Sequence, residues 1–121
     1  MQFAPGTHVL LDVHSARHLD DADRLEAVLR AAAESIGATV ITAHFHSFGT
    51  GSGVTGVVLL RESHISVHTW PETGYAALDL FVCGDMDVEP AIALLIDTLR
   101  PAAHDVRRVA RGQSNQVAQP S

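Results

Sequence analysis

The densest chemistry in the chain lies in eleven residues, Glu62-Ser63-His64-Ile65-Ser66-Val67-His68-Thr69-Trp70-Pro71-Glu72. They combine a hydroxyl nucleophile, two imidazoles, two carboxylates and the sole tryptophan. Serine beside imidazole and carboxylate is the raw material of nucleophilic catalysis. A serine hydrolase of the α/β type would need a G-x-S-x-G elbow, and none surrounds Ser63. From composition and spacing alone, a polar strand edge that happens to carry histidines competes evenly with catalysis.

Two other groups of residues offer chemistry. Histidines number eight, as many as lysine and arginine together, and imidazole is both the neutral-pH proton carrier and a common metal ligand. His44 and His46 stand two apart on an expected strand and so share a face. With His64, His68 and the lone Cys83 they offer the nitrogen and sulfur donors of a zinc or iron site. Neither H-E-x-x-H nor C-x-x-C spacing is present, so the pattern is generic and no metal is expected. His8, His14, His18 and His104 fit surface or hydrogen-bonded roles. Gly49-Thr50-Gly51-Ser52-Gly53 superficially suggests a phosphate cradle. A strand follows it where the phosphate fingerprints demand a helix N-terminus, so a hairpin loop is the better reading.

The bulk properties restrict the setting. A chain of 121 residues suits one domain, here residues 1–111, with a polar aperiodic tail at 112–121 expected to be disordered. A formal net charge of −6 argues against nucleic acid or an anionic membrane as partner. No run is apolar and long enough to span a bilayer, and no targeting signal opens the chain, so a cytoplasmic protein is expected. One cysteine excludes an intrachain disulfide framework.

The elements that must position these residues follow from periodicity. His8–Val13 is short, apolar and bounded by Pro5-Gly6, as a strand would be. Asp20 and Asp21 offer an N-cap to a helix whose apolar stripe is Ala22, Leu25, Leu29, Ala32, Ala33 and Ile36, with Gly37 as its stop. Residues 38–48, 54–60, 65–69 and 75–83 read as strands. In the last of these an aliphatic face alternates with a mixed one. Residues 90–99 form a second helix with Pro90 in its first turn, and 104–109 a closing strand. Strands outnumber helices and mostly succeed one another directly, so the expected fold is α+β, an antiparallel sheet with two helices on one face.

The run Glu62-Ser63-His64-x-x-x-His68-Thr69-Trp70-Pro71-Glu72-x-Gly74-Tyr75-Ala76-Ala77-x-Asp79-x-Phe81-x-Cys83-Gly84 closely resembles the short prokaryotic pyruvoyl-dependent S-adenosylmethionine decarboxylases. Phe45-His46-x-Phe48, Gly53-Val54 and Gly56 extend the resemblance, and Gly6-x-His8 extends it more weakly. Decarboxylating an α-amino acid leaves a carbanion that needs an electron sink, which a Schiff base to an electrophilic carbonyl supplies. The resemblance implies that the chain makes this carbonyl from itself, without pyridoxal phosphate or a metal. Ser63 attacks the Glu62 carbonyl, the amide becomes an ester, and elimination divides the chain between 62 and 63. Ser63 then survives as a pyruvoyl group.

The same resemblance assigns His68 to processing, Cys83 to proton donation after carbon dioxide leaves, and Glu72 to the substrate. It makes Phe48 an adenine-stacking surface or a core aromatic, and Trp70 a pocket wall or a packing residue. It also implies a homodimer of two-chain protomers whose sheets form a larger sandwich, acting on S-adenosylmethionine to supply spermidine synthesis. The family usually carries serine where this chain has Thr55, a processing position. Threonine keeps the hydroxyl but its methyl restricts the rotamers, leaving either slower cleavage or an unchanged role. The loop of residues 49–52 is one residue longer than usual beside Phe48, which bears on substrate choice. The rival readings are the same machinery acting on L-ornithine or L-arginine, and a non-catalytic binding module built on His44, His46, His64 and His68.

Overall fold

Alternation along the strands decides which side of the sheet is covered. In the computed structural model, which describes residues 5–113, the elements run β1 (Gly6–His14), α1 (Ala22–Ser35), β2 (Val40–Ser47), β3 (Val54–Leu60), β4 (Ser63–Trp70), β5 (Tyr75–Cys83), α2 (Glu89–Leu99) and β6 (Ala103–Arg111). Along β5 the buried residues Ala76, Leu78, Leu80 and Val82 alternate with Tyr75, Ala77, Asp79, Phe81 and Cys83. Val9, Leu11 and Val13 of β1, Val54, Val58 and Leu60 of β3, and Ile65 and Val67 of β4 are buried on the same rhythm. Against them lie Leu25, Leu29, Ala32 and Ala33 of α1 and Ile92, Leu95 and Leu99 of α2. One face of the sheet is therefore covered by helices, and the other is open.

The six strands stand in the order β2-β3-β4-β5-β1-β6, every neighbouring pair antiparallel. This is the α+β architecture expected from the sequence. Asp21 caps α1 as expected, its side chain accepting the Arg24 amide at 3.0 Å. The 49–53 loop joins β2 to β3 as a hairpin, held by Phe48 N–H to Gly53 O at 2.9 Å. The strand expected at 65–69 starts two residues earlier, because Leu60 and Ser63 pair across a turn of only Arg61 and Glu62. The expected tail lies outside the described residues, apart from its first two.

Thr69 is the buried polar side chain among the described residues. Its hydroxyl donates to Leu19 O at 2.6 Å and accepts from Val54 N–H at 2.8 Å. It thereby fixes β3 and β4 to the segment leading into α1. Arg108 grips Glu89 through two bonds of 2.7 and 2.8 Å, tying the edge strand β6 to the start of α2.

Candidate active site

Ser63 opens β4 directly after the two-residue turn, with φ at +149°. Two-residue hairpins ordinarily match the sheet twist with left-handed turn residues, yet neither Arg61 nor Glu62 has positive φ. The misfit falls on Ser63, in a region where a side chain is strained by about 1–3 kcal/mol. The turn is held from outside. Thr39 N–H donates to Glu62 Oε1 at 3.0 Å, and Arg61 N–H donates to Thr39 O at 2.9 Å. The backbone at Ser63 is thus strained, and the turn before it is fixed.

From Ser63 a chain of polar contacts crosses the open face. Ser63 Oγ lies 3.4 Å from His64 Nδ1, and His64 Nε2 lies 3.2 Å from Asp79 Oδ2. Asp79 also accepts from His8 Nε2 at 2.7 Å and from the Ser66 hydroxyl. Arg111 Nη1 donates to His8 Nδ1 at 3.1 Å. Burial pushes the Asp79 carboxyl upward, but the hydrogen bonds from Ser66, His8 and His64 together outweigh it and hold the carboxyl below its usual range. Phe81 packs beside both imidazoles, 5.2 Å from the His8 ring and 6.1 Å from the His64 ring. Cys83 follows two residues later, exposed at the same end of the sheet.

The other expected residues gather at the far end of β4. Phe48, Thr55, His68, Trp70 and Glu72 line one cavity of about 280 Å³. Thr55 and His68 are cross-strand partners, with Oγ1 and Nδ1 3.4 Å apart. His46 meets Phe48 edge to face at 4.6 Å. Trp70 stacks on Tyr75 at 5.2 Å, and Tyr75 donates to Asp12 Oδ1 at 2.7 Å. That bond, aided by burial and the carboxylate charge, raises the phenol above its ordinary value. Phe48 is 63 % exposed, which excludes the core-aromatic alternative within the single chain.

The site is therefore split. Five residues at about 3.3 Å each put His68 about 16 Å along the strand from Ser63. Ser63 and Cys83 share one end of the sheet, while Thr55, His68 and the cavity share the other. His44, His46 and His68 line a groove on the open face, but His64 is engaged with Asp79. Among the described residues, no group of three or more His, Cys, Asp or Glu is placed to hold a metal ion. The junction of His8 with Asp79, 71 positions apart, is not visible in residue types alone. Its sequence trace was Asp79 on the mixed face of an otherwise apolar strand.

The open face thus carries a strained serine backbone at one end and a cavity of about 280 Å³ at the other. Comparisons with known proteins identify the family. Residues 7–112 match the S-adenosylmethionine decarboxylase family, and the chain belongs to that family. It is 44% identical over 110 residues to an S-adenosylmethionine decarboxylase proenzyme of Methanococcus aeolicus, covering 88% of this chain and 93% of that one. A proenzyme of the same description from Parasynechococcus marenigrum is 45% identical over 116 residues, covering 93% and 90%. The crystal structure of the adenosylmethionine decarboxylase from Aquifex aeolicus superposes with a TM-score of 0.81 at 35% identity, covering 91% of this chain and 92% of that one.

Proposed function

We propose that the protein cleaves itself between Glu62 and Ser63 and then decarboxylates S-adenosylmethionine, the product serving as aminopropyl donor for spermidine. The observation that carries this reading is Ser63 itself, held at φ +149° directly after a clamped two-residue turn. Attack by Ser63 Oγ on the Glu62 carbonyl carbon converts that amide into an ester and frees the Ser63 amine. Loss of the Ser63 α-proton then breaks the Cβ–O bond. Residue 62 leaves as a carboxylate, and water displaces ammonia from residue 63. The pyruvoyl carbonyl so formed supplies an electron sink for the carbanion left by carbon dioxide.

The chain's own residues fit this group. Ser63 is partly exposed at the start of β4, and the exposed Cys83 thiol at the same end of the sheet is suited to deliver a proton. At the other end Glu72 offers a carboxylate to the ribose hydroxyls or a cationic group, and Phe48 offers a π-face to adenine. Thr55 and His68 serve processing as a hydrogen-bonded pair, with His68 as the base for the α-proton. The 16 Å separation on one strand supports a homodimer. In it, Thr55, His68 and the Phe48–Trp70–Glu72 cavity of one protomer meet Ser63 and Cys83 of the other, open face against open face.

Intact mass of the purified protein tests the first half. Pieces ending at Glu62 and starting with a pyruvoyl at 63 are expected, and Ser63→Ala stays whole. Carbon dioxide release from S-adenosylmethionine, L-ornithine and L-arginine, compared side by side, tests the second half. Release from either basic amino acid alone would overturn the substrate and keep the mechanism.

A further inference from the structure

Processing needs a base for its first step, the attack of Ser63 Oγ, before any base is needed for the α-proton. We infer that His64 is that base and that Asp79 orients it, so that Ser63, His64 and Asp79 form a relay within one chain. The inference rests on the self-cleavage reading above and extends it to a residue pair with no role there.

The geometry assigns the protons. An ionised carboxylate only accepts hydrogen bonds, and Asp79 is held in its ionised form by three donors. His64 must therefore carry its hydrogen on Nε2, 3.2 Å from Asp79 Oδ2, which leaves the Nδ1 lone pair bare. That bare nitrogen is the one 3.4 Å from Ser63 Oγ. The contact is longer than a tight hydrogen bond, as base-to-nucleophile contacts often are before the reaction draws them in. His8 is fixed in the same tautomer from the far side. Arg111 donates to its Nδ1 at 3.1 Å, so its Nε2 hydrogen points at Asp79. Asp79 is thus braced from β1 and β4, with Phe81 of its own strand walling the imidazoles.

The step balances within the chain. Ser63 Oγ–H passes its proton to His64 Nδ1 while Oγ bonds to the Glu62 carbonyl carbon. When the Glu62–Ser63 C–N bond breaks, His64 returns that proton to the departing Ser63 nitrogen. Ester and amine are the products, no water is consumed, and His64 ends as it began. His64 touches a reacting atom and is a catalytic residue of processing, and Asp79 is a positioning residue. The titratable and charged groups facing the relay are His8 and Asp12 from β1, His68 from β4, and Arg107 and Arg111 from β6.

Cell-free synthesis of the full chain, followed by a cleavage time course at several pH values, tests this. His64→Gln keeps a donor toward Asp79 but supplies no base. It should cleave at least roughly a hundredfold more slowly, and hydroxylamine, which cuts esters, should release no fragment from it. His64→Ala should recover partly with added imidazole. Asp79→Asn removes the anion that stabilises imidazolium, so its rate should fall and the acid limb of its pH profile should move to lower pH. His64→Gln cleaving at the normal rate, or accumulating hydroxylamine-sensitive ester, overturns the relay. So does an Asp79→Asn profile that is slower but unmoved. If the unaltered chain itself stays whole, the self-cleavage reading fails, and that result is distinct from all of these.

Discussion

At the scale of single residues, Asp79 and Thr55 make the sharpest claims. The Asp79 carboxyl is lowered by its three donors despite burial, which fixes the sign of its pH effect. A carboxyl with a depressed folded pKa stabilises the fold above its unfolded value near 3.9. That contribution is lost as pH falls below that value and through the lower folded one. Asp79→Asn should therefore be less stable than the unaltered chain at neutral pH, with the difference shrinking below about pH 4. Thermal unfolding across pH checks this, and a constant difference would refute it. Thr55 makes a kinetic claim, because its hydroxyl faces His68 at 3.4 Å while its methyl restricts rotation. Thr55→Ser should cleave as fast as the natural chain or faster, and Thr55→Val at least roughly tenfold more slowly. A gel time course separates the two, and equal rates for Thr55→Val would remove the hydroxyl from processing.

At the scale of elements, the sheet depends on close approaches that only small or doubly bonded residues allow. A Cβ at Gly53 would collide with the Thr69 carbonyl oxygen, and one at Gly56 with the Phe45 ring. Thr69 is the complementary device, since its hydroxyl satisfies both Leu19 O and Val54 N–H. Thr69→Val keeps the shape but orphans both groups, so a loss of about 2–4 kcal/mol is expected in denaturant unfolding. A loss under about 1 kcal/mol would mean that water takes over both bonds. Much of this level was legible in the sequence. The Asp21 cap and the apolar stripe to Ile36 announced α1, and the alternation from Tyr75 to Cys83 announced β5 with its mixed face. The start of β4 was not legible, because Ser63 and His64 lack strand-forming side chains and owe their place to pairing with Leu60, Leu59 and Phe81 on the neighbouring strands. Nor was the meeting of His8 with Asp79, since inter-strand register depends on the whole sheet order and not on either strand.

At the scale of the molecule, the open face is where the homodimer proposed above would join. Leu59 and Trp70 are 40 and 43 % exposed on β3 and β4, whose other face is buried, and Val109 is 40 % exposed on the edge strand β6. Apolar area of this kind on an uncovered sheet is the expected footprint of a partner layer. Two copies stacked by their open faces would cover it and would also cancel the distance between His68 and Ser63. The arrangement makes a prediction that no single-chain site can imitate. A chain with His68→Ala has an intact Ser63 but no processing base to offer, and one with Ser63→Ala has the reverse. Each expressed alone should stay uncleaved or nearly so. Expressed together, mixed dimers pair the intact Ser63 of one chain with the intact His68 of the other, so the His68→Ala chain should be cut while the Ser63→Ala chain never is. With random pairing, about half of the dimers are mixed, and up to half of the His68→Ala chains should divide. Distinguishable tags and intact mass read the outcome directly. If the His68→Ala chain stays whole in company as it does alone, His68 works only on its own protomer, and the strand must deform by about 16 Å to let it.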